Sequence, residues 1–259
     1  MLLTNSDLFS NRVRIYTKVQ TMKLILQLSM VLSLALAGQG SIAAPFEAGL
    51  NAMDREHYAT AYRAWKKLAD QGAAEAQNNI GYLHEQGRGV KQSYARAINW
   101  YKKAADQNLA EAHHNLGMLA FQGYGMRQDY LAAKRHFTDA AELDQPDSEY
   151  MLGLIYYQGH GIRKSPRRAK EFFLEAATHN SSNGQFMLSF MFQAGEGHPE
   201  DKAEPVKAFI WAHVAQRNGY NDAESVLSFS RMQVTETVQK KALELVSACI
   251  ESNYERCPK

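Results

Sequence analysis

The chain has 259 residues, 45% hydrophobic and 22% charged, with 17 Gly, 6 Pro and 2 Cys, which excludes intrinsic disorder, a collagen-like repeat and a disulfide-dense mini-fold. Its formal charge of +2 is unevenly placed: Arg12, Arg14, Lys18 and Lys23 against Asp7 give residues 1–43 a net +3, leaving −1 on the rest. A folded part without a basic footprint argues against nucleic acid as a partner.

The first element in chain order is a leader. Lys23 precedes an apolar run of 14 residues (24–37), followed by small residues that include Ser41 and Ala43. A positive flank, an apolar stretch and small residues at alternate positions make a secretory signal peptide. Cleavage after Ala43 is the better fit, because Pro45 would stand directly after a cut at Ala44. An uncleaved membrane anchor is the alternative, but the run is shorter than the ~20 apolar residues that span a bilayer. Met22-Lys23 would open an ordinary signal peptide, so Met22 is a candidate true start. The mature protein is expected in the periplasm or outside the cell, with no stable membrane span.

The rest repeats with a period of 36: Gly81, Gly117 and Gly153 coincide, with Ser189 in the fourth copy. Gly87, Gly123, Gly159 and Gly195 coincide, as do Gly89, Gly125, Gly161 and Gly197, and later Ala97, Ala133 and Ala169, then Tyr101, Phe137 and Phe173. A fixed period of this size across several copies means a repeat architecture. Each unit reads as two helices, the first over about 74–86 with Ala76, Ile80 and Leu83 on one stripe, the second over about 94–107 with Ala97, Ile98, Tyr101, Ala104 and Ala105 inward. Glycine within a helix costs about 1 kcal/mol relative to alanine, so the recurring Gly81 position predicts close approach of the partner helix.

Ala74-Glu75-Ala76-Gln77-Asn78-Asn79-Ile80-Gly81, then Gly87-Arg88-Gly89-Val90, then Ala97-Ile98-Asn99-Trp100-Tyr101-Lys102-Lys103-Ala104-Ala105 resemble the Sel1-like repeat, a relative of the tetratricopeptide repeat. His84 departs from the Tyr favoured there. The resemblance covers about residues 46–230 and implies an all-α, right-handed superhelical solenoid. The organisation read from it is an N-terminal half-repeat or cap over 44–72, four repeats over about 73–108, 109–144, 145–180 and 181–219, and capping helices over 220–259. The fourth copy carries about three extra residues in its turn, around 198–204. Gln239, Lys240, Lys241 and Glu244 predict a polar outer face on the closing helix, as a solenoid end needs.

Cys249 and Cys257 lie at the end of the chain; after export an oxidising compartment favours a bridge between them, two free thiols being the alternative. Cysteine-rich relatives of the repeat carry this spacing in every unit; here it occurs once, which points to a structural role.

The chain offers little that reads as catalysis. The Gly-x-Gly turns lack the third glycine and preceding strand of a nucleotide site. His113 and His114 are adjacent and project apart on a helix, and no Cys or carboxylate stands beside them at ligand spacing, so neither metal nor cofactor is expected. No G-x-S-x-G or S-x-x-K motif occurs, so the β-lactamase activity associated with some cysteine-rich relatives is not carried over. What remains is a surface. Solenoids bind on their concave face, and in tetratricopeptide-type repeats that face comes from the first helix of each unit. On this register it comprises Asn78, Tyr82 and Glu85, then His114, Met118 and Phe121, then Tyr150, Leu154 and Tyr157, then Phe186, Phe190 and Gln193. It runs from polar and acidic to aromatic and apolar, the composition of interface hot spots, with Tyr150, Tyr157 and Phe186 foremost. The competing reading packs these aromatics on neighbouring repeats. The expected function is a non-enzymatic scaffold or adaptor that binds a protein or peptide in the groove. A glycan-binding module and a cell-wall or β-lactam hydrolase are the alternatives.

Overall fold

The computed structural model describes residues 43–259; the leader through residue 42, with the candidate start at Met22, lies outside them. Helices α1 (43–54) and α2 (Tyr58–Asp70) are followed by four pairs: α3 (Ala74–Gln86) with α4 (Tyr94–Ala105), α5 (Ala110–Gln122) with α6 (Tyr130–Ala141), α7 (Pro146–Gln158) with α8 (Pro166–Thr178), and α9 (Ser182–Ala194) with α10 (Pro205–Arg217). A short 3-10 turn (Asn221–Ala223), α11 (Glu224–Gln233) and α12 (Glu236–Glu251) close the chain. The described residues contain helices and no strand; successive helices from α2 to α11 pack on one another, and α12 packs on α10. The result is an all-α solenoid. No helix among them is long and apolar enough to cross a membrane.

Local signals set the helix ends. Ser93, Asp129 and Ser165 accept hydrogen bonds from the backbone N–H groups of Arg96, Ala132 and Arg168, which satisfies a donor that the first helical turn leaves open. The first helices stop at Gly87, Gly123, Gly159 and Gly195, all left-handed. The second glycine of each turn does a different job. Gly161 has φ +67°, and a Cβ there would come within 2.9 Å of Tyr130 Cβ, at the start of the preceding unit's second helix. The turn therefore docks repeat on repeat.

Within a unit the mid-helix glycine makes room for a ring. A Cβ on Gly117 would lie 2.6 Å from Phe137 Cε1, and one on Gly81 would lie 2.7 Å from Tyr101. Those rings are wholly buried. The N-terminal segment read as a half-repeat is a two-helix unit of the same design: Gly49 of α1 abuts Trp65 of α2, and Trp65 Nε1 donates to Phe46 O at 3.1 Å.

Successive units are also tied by one side chain. Gln77 Nε2 donates to Ala69 O and Gln185 Nε2 to Ala177 O, each at 3.1 Å, and His113 Nε2 makes the same bond to Ala105 O at 3.1 Å. These residues occupy one register position, whose occupant in the third repeat is Glu149.

At the C-terminus Cys249 and Cys257 are joined, with Cα atoms 4.7 Å apart. The tail folds back on α10, where Trp211 Nε1 donates to Pro258 O at 2.8 Å and Lys207 Nζ to Lys259 O at 2.7 Å. The bridge thus fixes a tail that covers the last repeat. The end face is less polar than the sequence implied. Lys240, Lys241 and Glu244 are exposed, but so are Val238, Leu243 and Leu245.

Candidate partner-binding groove

Between the third and fourth repeats the first helices lie closer together than the second helices. Helix α7 meets α9 directly, whereas α8 and α10 make no contact of that extent; beyond the fourth repeat α11 meets α9 and α12 packs more broadly on α10. Side chains on the first helices also bond across units: Asn115 Nδ2 donates to Asn78 Oδ1 at 2.9 Å, and His114 Nδ1 lies 2.8 Å from Ser148 Oγ.

All twelve residues expected on this face are half-buried, except Phe190, which is 38% exposed. They do not form one uniform lining. In the polar half, Tyr101 Oη donates to Glu85 Oε2 at 2.7 Å, and Arg88 donates to Tyr82 Oη at 3.0 Å while its guanidinium covers the Tyr82 ring. Burial and the Glu85 carboxylate push the Tyr101 phenol far up. Asn78, Tyr82 and Glu85 are therefore committed to the protein's own contacts.

The apolar half is continuous. Met118, Phe121, Tyr150 and Leu154 pack on one core cluster; Tyr150, Leu154, Tyr157 and Phe186 pack on the next. Phe121 stands at its edge, edge-on to Tyr130 and His160. Tyr150 and Tyr157 both tilt over the buried Phe173 ring, with centroids at 5.8 and 6.4 Å. Tyr157 Oη also donates to Glu196 Oε1 at 3.3 Å, and burial with that carboxylate raises its phenol above the usual range. Phe186 stacks on Tyr220 at 4.5 Å and 20°. Gln193 reaches α11 through Gln233. The apolar ledge therefore centres on Tyr150, Leu154 and Phe186, flanked by Tyr220.

Sequence reasoning missed Tyr220. It occupies the N-cap position held by Ala73, Leu109, Gln145 and Ser181 in earlier units, and the longer fourth repeat moves it off the simple period. A large ring where the repeat has none was the available signal.

The His114–Ser148 pair has the atoms of a nucleophile and its base, but Ser148 is wholly buried, so no external substrate reaches it. Burial holds the His114 imidazole below the ordinary histidine range, as suits a side chain packed against Phe137. His113 turns the other way, towards His136 and Asp139 of α6.

Residues 74–109, 110–145, 146–181 and 182–220 each match the Sel1 repeat family. Among solved structures, a Sel1 repeat protein from Oxalobacter formigenes is 29% identical, with 79% of this chain and 84% of that one covered at a TM-score of 0.65. A protective antigen present in uropathogenic Escherichia coli strains, which displays the same repeat fold, is 26% identical at a TM-score of 0.68. That match covers 85% of this chain but only 48% of the antigen. A Klebsiella pneumoniae protein described as a Sel1 repeat protein, 19% identical with 75% of this chain and 95% of that one covered at a TM-score of 0.50, shares the fold. No curated protein matches the chain.

Proposed function

The chain belongs to the Sel1 repeat family, and on that premise we propose that it is an exported, non-enzymatic scaffold that holds a protein or peptide segment against the inner face of its third and fourth repeats. Sel1 repeats commonly mediate protein–protein interaction, and proteins of the family are generally non-enzymatic scaffolds.

The observation that supports this reading is the apolar ledge formed by Tyr150, Leu154 and Phe186 with Tyr220. Half-buried aromatics on a rigid helical face supply contact area with little further loss of side-chain freedom, as binding hot spots do. The expected ligand is an extended segment or helix whose apolar side chains seat on that ledge. The committed polar residues of the first repeat make the other end of the face a poorer contact. The reading includes export to the periplasm or beyond after cleavage at Ala43; N-terminal sequencing of the mature protein should begin at Ala44, and an intact leader would contradict that part.

Selection from a random peptide library on the purified chain tests the groove. Enriched peptides should share spaced apolar residues, and Tyr150→Ala should weaken them at least ~tenfold while Lys240→Ala leaves them unchanged. No enrichment, or equal loss in both variants, would defeat the reading. Binding to purified peptidoglycan lost in Tyr150→Ala would move the function to glycan recognition.

A further inference from the structure

The second repeat brings together three metal-ligating groups that the adjacent pair His113–His114 did not reveal. His113 on α5 and His136 and Asp139 on α6 offer ligand atoms that all lie within 4.8 Å of one another. His136 and Asp139 are three apart, so they share one face of their helix.

The hydrogen bonding leaves this cluster one cation short. A carbonyl can only accept, so the bond to Ala105 O fixes the His113 hydrogen on Nε2 and turns the bare Nδ1 lone pair inward. That lone pair faces Asp139 Oδ2 at 3.4 Å, acceptor against acceptor. Both His113 Nδ1 and His136 Nδ1 are buried and without a hydrogen-bond partner, an uncommon and costly state. A proton on His113 would answer Asp139 alone; one metal ion would take a ligand atom from each of the three residues. A ligating histidine whose other ring nitrogen donates to a backbone carbonyl is the usual supporting arrangement around bound metal.

The fold does not need these residues. The same register positions hold Gln77, Trp100 and Lys103 in the first repeat and Glu149, Phe172 and Glu175 in the third, and those repeats adopt the same two-helix structure.

We propose that His113, His136 and Asp139 form a binding site for one divalent transition-metal ion, zinc foremost. Two imidazoles and a carboxylate suit zinc, copper or nickel rather than calcium or magnesium, which take oxygen donors. Lys102 and Arg135 lie near the site and repel a cation, so affinity rests on direct ligand bonds rather than long-range attraction. The Asp139 side chain is 50% exposed, which leaves it free to close on the ion and leaves a coordination position open to water.

Zinc titration into the tag-free purified chain, followed by competition with a chromophoric chelator, reads the site. One equivalent should bind, and His136→Gln and Asp139→Asn should each weaken it more than ~tenfold, the scale seen when even supporting groups around a metal are removed. His160→Gln, outside the cluster, should leave it unchanged. Circular dichroism checks that each variant is folded; Asp139→Asn changes an exposed group and so decides the matter even if His136→Gln does not fold. No stoichiometric binding, or equal affinity in Asp139→Asn and the parent, would overturn the proposal.

Discussion

Glu149 accepts a hydrogen bond from His179 through Oε1, with Nδ1 at 2.7 Å, while its other oxygen is buried and has no partner. Three other repeats place a donor at this position and tie it to the backbone of the preceding unit. An ionised carboxylate has nothing to donate there. Burial raises the Glu149 pKa above its ordinary 4.5, His179 acts in the opposite direction, and Glu175 and Asp144 add to the rise.

A carboxyl whose folded-state pKa lies above its unfolded value stabilises the fold most below the unfolded value, and that contribution is lost as pH rises through the folded one. Glu149→Gln should therefore stabilise the protein at neutral pH by about 1 kcal/mol, through a restored hydrogen bond to Ala141 O. The advantage should shrink as pH falls towards the ordinary carboxyl value of 4.5 and the parent's Glu149 takes up a proton that it can donate. Urea unfolding of both proteins at pH 7.5 and pH 4.5 checks this; a destabilised variant at pH 7.5 would refute it.

The fourth repeat carries a compensating change at the glycine–ring contact. Where other units have Gly117 with Phe137, it has Ser189, and the three-residue expansion places Ala212 at the ring position; both are buried. Gly117→Ser alone should destabilise by about 1–3 kcal/mol through overpacking against the ring. Phe137→Ala alone should cost about 3–5 kcal/mol. Together they should cost less than the sum by about 1 kcal/mol or more, because the ring that clashes is gone. Additive losses in a double-mutant cycle would show that the pair is not coupled.

The bridge near the C-terminus should act locally. Cys257→Ser should free the tail from Trp211 and Lys207, lower stability by about 2–3 kcal/mol, and make the exposed Arg256 a fast trypsin site. Limited proteolysis with mass spectrometry reads the cut; equal resistance in parent and variant would mean that packing of Tyr254 and the α10 contacts hold the tail unaided.

Much of this architecture was legible in the sequence because the repeat samples the same physical problem several times. Gly81, Gly117 and Gly153 stand opposite Tyr101, Phe137 and Phe173 in sequence register as they do in space, so the helix pairing follows from the period. The candidate site was legible in its positions but not in its commitments. Nothing in the spacing shows that Glu85 is taken by Tyr101 or Tyr157 by Glu196, since those bonds depend on side-chain reach between helices. Tyr220 was missed because it pairs with Phe186 across the expanded turn, where the period breaks. His136 and Asp139 meet His113 across two helices of one unit, a convergence that adjacency in sequence does not report.

The proposed function rests on a protein segment seated on the ledge around Tyr150. In-cell photo-crosslinking from position 150, with position 240 on α12 as the control, followed by mass spectrometry, tests it most directly. A discrete protein should be captured from position 150 and not from position 240. No capture, or the same proteins captured from both positions, would contradict it.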